Sequence, residues 1–420
     1  APLGENLPVR SGGDYDPSEA LPKPIPEAQV RTAEDVAHNF ALKHTSLAQL
    51  LYFYHKFEEQ GRITDATTAW QVLEEIVVPA TAKDRCAYVD ITLTGSRKMA
   101  DAVLCHWWGA SFRDVVLSAA EYASGLQSRS ELEAKTFGGG LGQSALHTSF
   151  WLHLLSVNHH AGHAPGAVLC QADKTGLVLR HAGALVVALD SELATLGRAR
   201  CLFEVWQAAS AERPVHFCGR LAPTFSAGIT ASFLRRIQDC ETADAEYRER
   251  ILHDIQDKIF LESFNRQVPG IVAAGVCRLA LVHAMADQAG SVDLAQLLRN
   301  GAEPDIPLTR HGETALMRAV QRCRASHVDA LLSGNASPNI ACAGGWTALH
   351  YAAQLGLDGL AEALLAARAD ANAKSHFGHT PLMEAAERKH TELVQALLAA
   401  GADPEQRDME GCSAAQLLEG

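Results

Sequence analysis

Apolar and polar positions alternate in five different ways along the chain. Residues 1–30 show no apolar period and hold six of the sixteen prolines, with Gly12-Gly13, so a flexible tail is predicted. Residues 31–80 are spaced for helices. Val36, Ala37, Phe40, Ala41, Leu47, Leu50, Leu51 and Phe53 supply apolar faces, and Ala69, Trp70, Val72, Leu73 and Ile76 continue them until Pro79, the expected end. Residues 81–232 alternate short apolar runs with helical patterns. Strands are expected at 102–105, 150–157, 182–189 and 215–218, helices at 112–122 and 200–209, a long glycine-rich linker at 124–146, and a loop or short strand at 220–232. Continuous apolar strands alternating with helices imply a parallel sheet flanked by helices. Residues 233–280 predict a helical connector: a helix over 242–264 carries Tyr247, Ile251, Leu252, Ile255, Ile259 and Phe260 on one stripe, and Pro269-Gly270 breaks it.

Residues 281–420 repeat. Gly312, Gly345, Gly378 and Gly411 lie 33 residues apart, and the first three open the phrases Gly312-Glu313-Thr314-Ala315-Leu316, Gly345-Trp346-Thr347-Ala348-Leu349-His350 and Gly378-His379-Thr380-Pro381-Leu382. Leu297-Leu298 returns as Leu331-Leu332, Leu364-Leu365 and Leu397-Leu398. The first of those intervals is 34, which places one inserted residue near Gln321–Ser326. A period of about 33 marks a helical solenoid. This pattern resembles the ankyrin repeat, nearly whole in 345–371 and 378–404. The resemblance implies about three full repeats behind a degenerate leading half near 281–305, and a protein partner held by hairpin tips and first-helix surfaces. Trp346, Tyr351, Phe377 and His379 are the candidate partner-binding residues there, with packing between loops as the alternative for Trp346. The resemblance also implies that His350 ties adjacent loops by hydrogen bonding, where Met317 and Met383 stand in the neighbours. The array ends one turn into a further repeat, as a short cap or a truncation, and the chain starts without Met, as a fragment or a processed form would.

The net charge of −13, with seventeen acidic against ten basic residues in 281–420, excludes a general nucleic-acid binder. Ten cysteines without a Cys-x-x-Cys pair read as reduced thiols in an intracellular, cytoplasmic protein, with no metal site. No apolar stretch reaches the roughly 20 residues needed to span a bilayer, so no membrane span is expected.

Chemistry is sought at the carboxyl ends of the predicted strands. His106-Trp107-Trp108-Gly109 follows the first and Asn158-His159-His160 the second, while Arg200-Cys201-Leu202-Phe203-Glu204 lies in the helix after the third. In that order these strings resemble a TIR (Toll/interleukin receptor)-like domain over about 100–220. The resemblance implies a flavodoxin-like α/β parallel-sheet module and NAD as a substrate. Glu204 would be catalytic, with Trp108 and Asn158 binding NAD; Arg200 stands where the family's string has Trp. A carboxylate near the ribose would stabilise the oxocarbenium-like transition state as nicotinamide leaves. The alternative for Glu204 is an ion pair with Arg200 one helical turn away. His153, His159, His160 and His163 lack the spacing of a helical zinc pair, and no resident cofactor is expected. Two functions stand: an adaptor that binds a protein through its repeats, or an NAD-cleaving enzyme targeted by them.

Overall fold

The computed structural model describes residues 42–419 except 85, 93–98, 127, 157–170, 192, 220, 222–235, 242–244, 260, 287–293, 300–301 and 310. The predicted tail, Asn158 and the histidines at 159, 160 and 163 lie outside the described residues.

Among the described residues, five strands form one sheet in the order β1-β3-β2-β4-β5. They are β1 (Thr45–Ser46), β2 (Ala102–Cys105), β3 (Ser149–Trp151), β4 (Leu185–Leu189) and β5 (Val215–Gly219). β2 to β5 pair in parallel, as their apolar runs predict, and β1 joins the β3 edge antiparallel. The order of the parallel strands reverses between β2 and β4, the kind of switch point at which open sheets bind ligands.

Alternate side chains of each strand enter opposite layers. Ala102, Leu104, Phe150, Val186 and Ala188 pack under α1 (Leu47–Glu58) and α2 (Phe112–Ser124). Val103, Cys105, Trp151, Leu185, Val187 and Phe217 pack under α3 (Ala199–Ser210) and the helices that follow. Those are α4 (Ala245–Lys258) and α5 (Leu261–Ala286). The second cluster continues through α5 into the array, reaching Leu316, Leu349 and Leu382. The two parts of the chain therefore share one core.

Several expected boundaries move. The second strand stops at Trp151, and His153–Ser156 is helical. The expected linker contains the helices Arg129–Phe137 and Gln143–Leu146. Its first helix buries only Leu132 and Thr136, so it carries too few apolar positions for a stripe to show. Pro79 does not end its helix: a π turn, Leu73–Val77, precedes Val78–Thr81. The proline cannot donate to the Glu75 carbonyl, and the Arg62 guanidinium does so instead. Pro269 likewise lies inside α5, and the break falls earlier, between Lys258 and Leu261. Val268, Val272, Val276 and Leu279 are all buried on one face of α5, and this packing outweighs a proline cost of roughly 3 kcal/mol. α5 lies so close to β5 that a Cβ on Gly275 would sit 2.1 Å from the Phe217 ring.

Contrary to the expectation that no stretch is long enough, Leu261–Met285 within α5 is long and apolar enough to cross a membrane, with a mean hydropathy of 1.7 over an 18-residue window. The core helix of a folded protein passes the same test, and 56% of that window is buried within the chain.

The end of α5 pairs with Leu294–Arg299 as the leading half-repeat. Three full helix pairs follow: Ala315–Gln321 with Ala325–Ser333, Ala348–Leu355 with Asp358–Ala366, and Pro381–Glu387 with Thr391–Ala399. Ala414–Glu419 packs against the last pair. The extra residue is not near Gln321–Ser326. Left-handed residues recur there at Cys323, Gly356 and Lys389 with equal spacing. The insertion falls in the first hairpin finger instead. That finger closes from Leu308 to Glu313, whereas the next three close from Cys342 to Trp346, Ser375 to His379 and Asp408 to Cys412.

Candidate functional site

At the carboxyl edge of the sheet, β2 runs into His106, Trp107 and Trp108 beside the N-terminal half of α3. The Arg198 guanidinium lies 4.3 Å from the Trp107 ring centre, and that of Arg200 lies 5.7 Å from Trp108. Trp108 also meets His106, His153 and Trp70 edge-on at 5.3, 5.7 and 6.0 Å. Cations over indole faces gain most where water is excluded, so this layer holds both arginines in place. His106 is fully buried; burial, and then the charge of Arg200, push it down to about 3, which keeps the ring neutral.

Glu204 lies beneath this layer, 1% exposed. Its Oε1 accepts from Arg200 Nε at 2.9 Å and from Thr175 Oγ1 at 3.1 Å. Among the described residues Oε2 has no hydrogen-bond partner. The structure thus joins Glu204 to Trp108 through Arg200, and the ion-pair alternative describes the geometry of Glu204 in this conformation. A ligand would reach the carboxylate only after Arg200 moved. Cys105 sits against Cys201 and Glu204 at the same end of β2; the Cys201 thiol and burial push it well above the usual thiol range, which keeps it protonated. Thr175 and Arg198 are the neighbours that the sequence did not single out, and His153, weighed there only as a metal ligand, packs against Trp108. Thr175 comes from another element, and only Arg198, two residues before Arg200, was close enough in sequence to draw notice.

The repeat fingers form the second candidate site. Each is stitched to the next by one backbone bond: Ala343 N–H to the His311 carbonyl at 2.7 Å, His376 to Gly344 at 3.0 Å, and Met409 to Phe377 at 3.0 Å. Gly345 is required here. Its φ is +79°, and a Cβ would stand 2.6 Å from the His376 nitrogen.

Trp346 is half-buried, 5.1 Å from the Tyr351 ring and 5.6 Å from His350, so it packs within the array. Tyr351 Oη donates to Glu313 Oε1 at 3.4 Å, across to the preceding finger. His350 donates from Nε2 to the His379 carbonyl at 3.1 Å, while Thr347 Oγ1 donates to its Nδ1 at 2.9 Å. Burial pushes His350 down to about 4, consistent with a neutral ring that donates from one nitrogen and accepts at the other. In the next repeat the Met383 sulfur accepts from the Thr380 N–H at 3.5 Å, in the place of the histidine's acceptor nitrogen. His379 lies between Glu384 at 3.0 Å and Asp408 at 3.6 Å. Phe377 alone of the four candidates projects fully, at 68% exposed, and Met409 on the adjoining tip is 77% exposed. Met409 was missed because the last copy of the repeat phrase, Gly411-Cys412-Ser413, is worn.

Residues 281–375 and 345–408 match the family model for ankyrin repeats, in three copies. The C-terminal region is therefore an ankyrin array, and the match begins inside α5. No curated protein matches the chain.

Proposed function

We propose that this chain is an intracellular, cytoplasmic adaptor whose ankyrin array holds a protein partner. The carrying observation is the pair Phe377 and Met409, two large apolar side chains exposed on adjoining tips of an array whose other aromatic tip residue, Trp346, is packed inward. Interfaces draw most of their energy from a few such anchors. Nine cysteines among the described residues are in no disulfide, which supports a reducing compartment. In this reading residues 81–232 form a flavodoxin-like, TIR-like signalling module, supported by the strand order about the β2/β4 switch. Affinity enrichment with the native chain and with the double variant Phe377→Ser, Met409→Ser tests the adaptor role. Both side chains are exposed, so the fold should persist while the partner is lost. Equal recovery of the same partners by both would sink the assignment of this patch.

A second reading is favoured by one observation: the partnerless Oε2 of Glu204, buried at the carboxyl edge of the sheet. Opening of Arg200 would present that carboxylate to a ribose, and NAD would be the substrate. NAD consumption that disappears in Glu204→Gln would support it; no turnover by the native chain would leave the module without this chemistry.

A further inference from the structure

A cavity of about 1130 Å3 opens at the amino edge of the sheet, opposite Glu204. That volume is on the scale of known ligand sites, which run roughly 300–1,000 Å3. Its walls come from both halves of the chain. Tyr122 and Ser124 end α2, Phe217 lies on β5, Arg278 projects from α5, and Thr309 and His311 come from the first finger. This is the finger that carries the extra residue, and Thr309 and His311 lie within its lengthened tip.

The charges around the cavity are unequally satisfied. Asp101 accepts from the Ser149 N–H at 2.7 Å and from its hydroxyl at 2.8 Å. Glu313 faces Arg318 at 3.6 Å and accepts from Gln321 at 2.9 Å. Glu121 accepts from the Gly219 N–H at 2.9 Å. Burial pushes Glu121 up to about 8, so at neutral pH it adds little negative charge. Arg278 is different. Among the described residues it makes no ion pair, and its one hydrogen bond runs to His216 Nδ1 at 3.3 Å. Burial, and then Arg278 itself, push His216 down to about 4, so this partner is neutral. A guanidinium with a neutral partner, on the wall of a cavity floored by Phe217, Leu279 and Val282, is matched by an oxyanion attached to an apolar or planar body.

We propose that this cleft binds a small organic phosphate of nucleoside-monophosphate size, its phosphate on Arg278 and its body against Phe217 and Tyr122. The ligand would touch the sheet module and the first ankyrin finger together, and so fix one against the other. The site is independent of Phe377 and of Glu204, neither of which lines the cleft.

Isothermal titration of the full chain with AMP, and separately with inorganic phosphate, tests the site. Saturable AMP binding is expected, weakened about tenfold or more in Arg278→Gln through loss of a charge-assisted pair. Thr309→Asp should weaken it similarly by repulsion. The new carboxylate can still accept the Glu313 N–H that Thr309 Oγ1 accepts at 3.3 Å, so the finger should keep its shape. Arg388→Gln, exposed two repeats away, should bind as the native chain does. Circular dichroism identifies any variant that fails to fold. No saturable AMP binding at millimolar concentration, or binding indifferent to both cleft variants, would overturn the site. Inorganic phosphate binding as tightly as AMP would overturn the organic body.

Discussion

Glu121→Gln should make the sheet module more stable above neutral pH, and the gain can be worked from its surroundings. The Glu121 carboxyl faces the Gly219 N–H and Arg129, both of which favour its charged form, but burial dominates and raises it from 4.5 to about 8. Cys218 beside it is pushed up too, by burial and then by Glu121, so it remains a neutral thiol. The folded chain therefore keeps a proton that the unfolded chain releases above its ordinary carboxylate value. Stability from this group is complete below about pH 4.5 and falls as pH rises toward 8, by at most about 1.4 kcal/mol per pH unit. Across the whole window the loss is on the order of 5 kcal/mol. Glutamine keeps the acceptor for Gly219 and has no proton to lose. Five of the six tryptophans lie before residue 232, so indole fluorescence in guanidinium reports on this module. The native midpoint should drop between pH 5 and pH 8.5 while the variant's stays nearly level. Parallel pH profiles, or a variant less stable at pH 8.5, would refute the assignment of a buried, protonated carboxyl.

Three further outcomes are expected. His350→Met copies the residue at Met317 and Met383 and should fold, but lose about 1 kcal/mol with the bond to the His379 carbonyl. Because the native ring is held neutral, the stability it contributes is present above about pH 6.5 and lost as pH falls toward 4; far-ultraviolet dichroism should show the variant losing that acid sensitivity. Gly275→Val drives a side chain into the Phe217 ring and should cost about 1–3 kcal/mol by overpacking, and an unchanged melting temperature would count against the close contact of α5 with β5. Glu204→Leu removes the buried carboxylate of the pair with Arg200 and should cost about 3–5 kcal/mol, whereas an exposed pair would cost under about 1 kcal/mol; thermal unfolding separates the two.

What the sequence revealed follows the range of the forces involved. The finger glycines, the cap threonines Thr314 and Thr380 and the paired leucines act within one repeat, so a fixed period displays them. β2, β4 and β5 are buried along most of their length, and continuous apolar runs are a local signal as well. β1 was hidden because two residues carry no period, and it exists only by pairing with Phe150 and Ser149. The helix at Arg129–Phe137 was hidden because ion pairs such as Lys135 with Glu131 and Arg129 with Glu133 hold it instead of an apolar stripe. At the candidate site, the pairing of Glu204 with Arg200 was legible as a spacing of four on one helix. Thr175 is 29 residues away from Glu204, and Trp108, which covers Arg200, comes from the end of another strand. No local pattern encodes such a meeting.

α5 is where the local and non-local arguments join. Read as pattern, Pro269-Gly270 divides it; in the fold, one helix runs from the sheet into the repeats. Its middle rests on β5 through Gly275 and Phe217. Its end is capped by the first full repeat, where the Arg322 and Arg324 guanidinium groups donate to the carbonyls of Met285 and Ala284. Leu281 and Met285 are fully buried by this arrangement. An ankyrin helix near the start of an array normally presents a polar outer face to water. Here that face meets the sheet module instead, so the module takes the place of an N-terminal cap. The array cannot then be cut away at its first recognisable repeat without exposing apolar surface on both sides. Burial of each such side chain is worth roughly 1.5–3 kcal/mol, so module and array are expected to unfold as one unit rather than as separable domains.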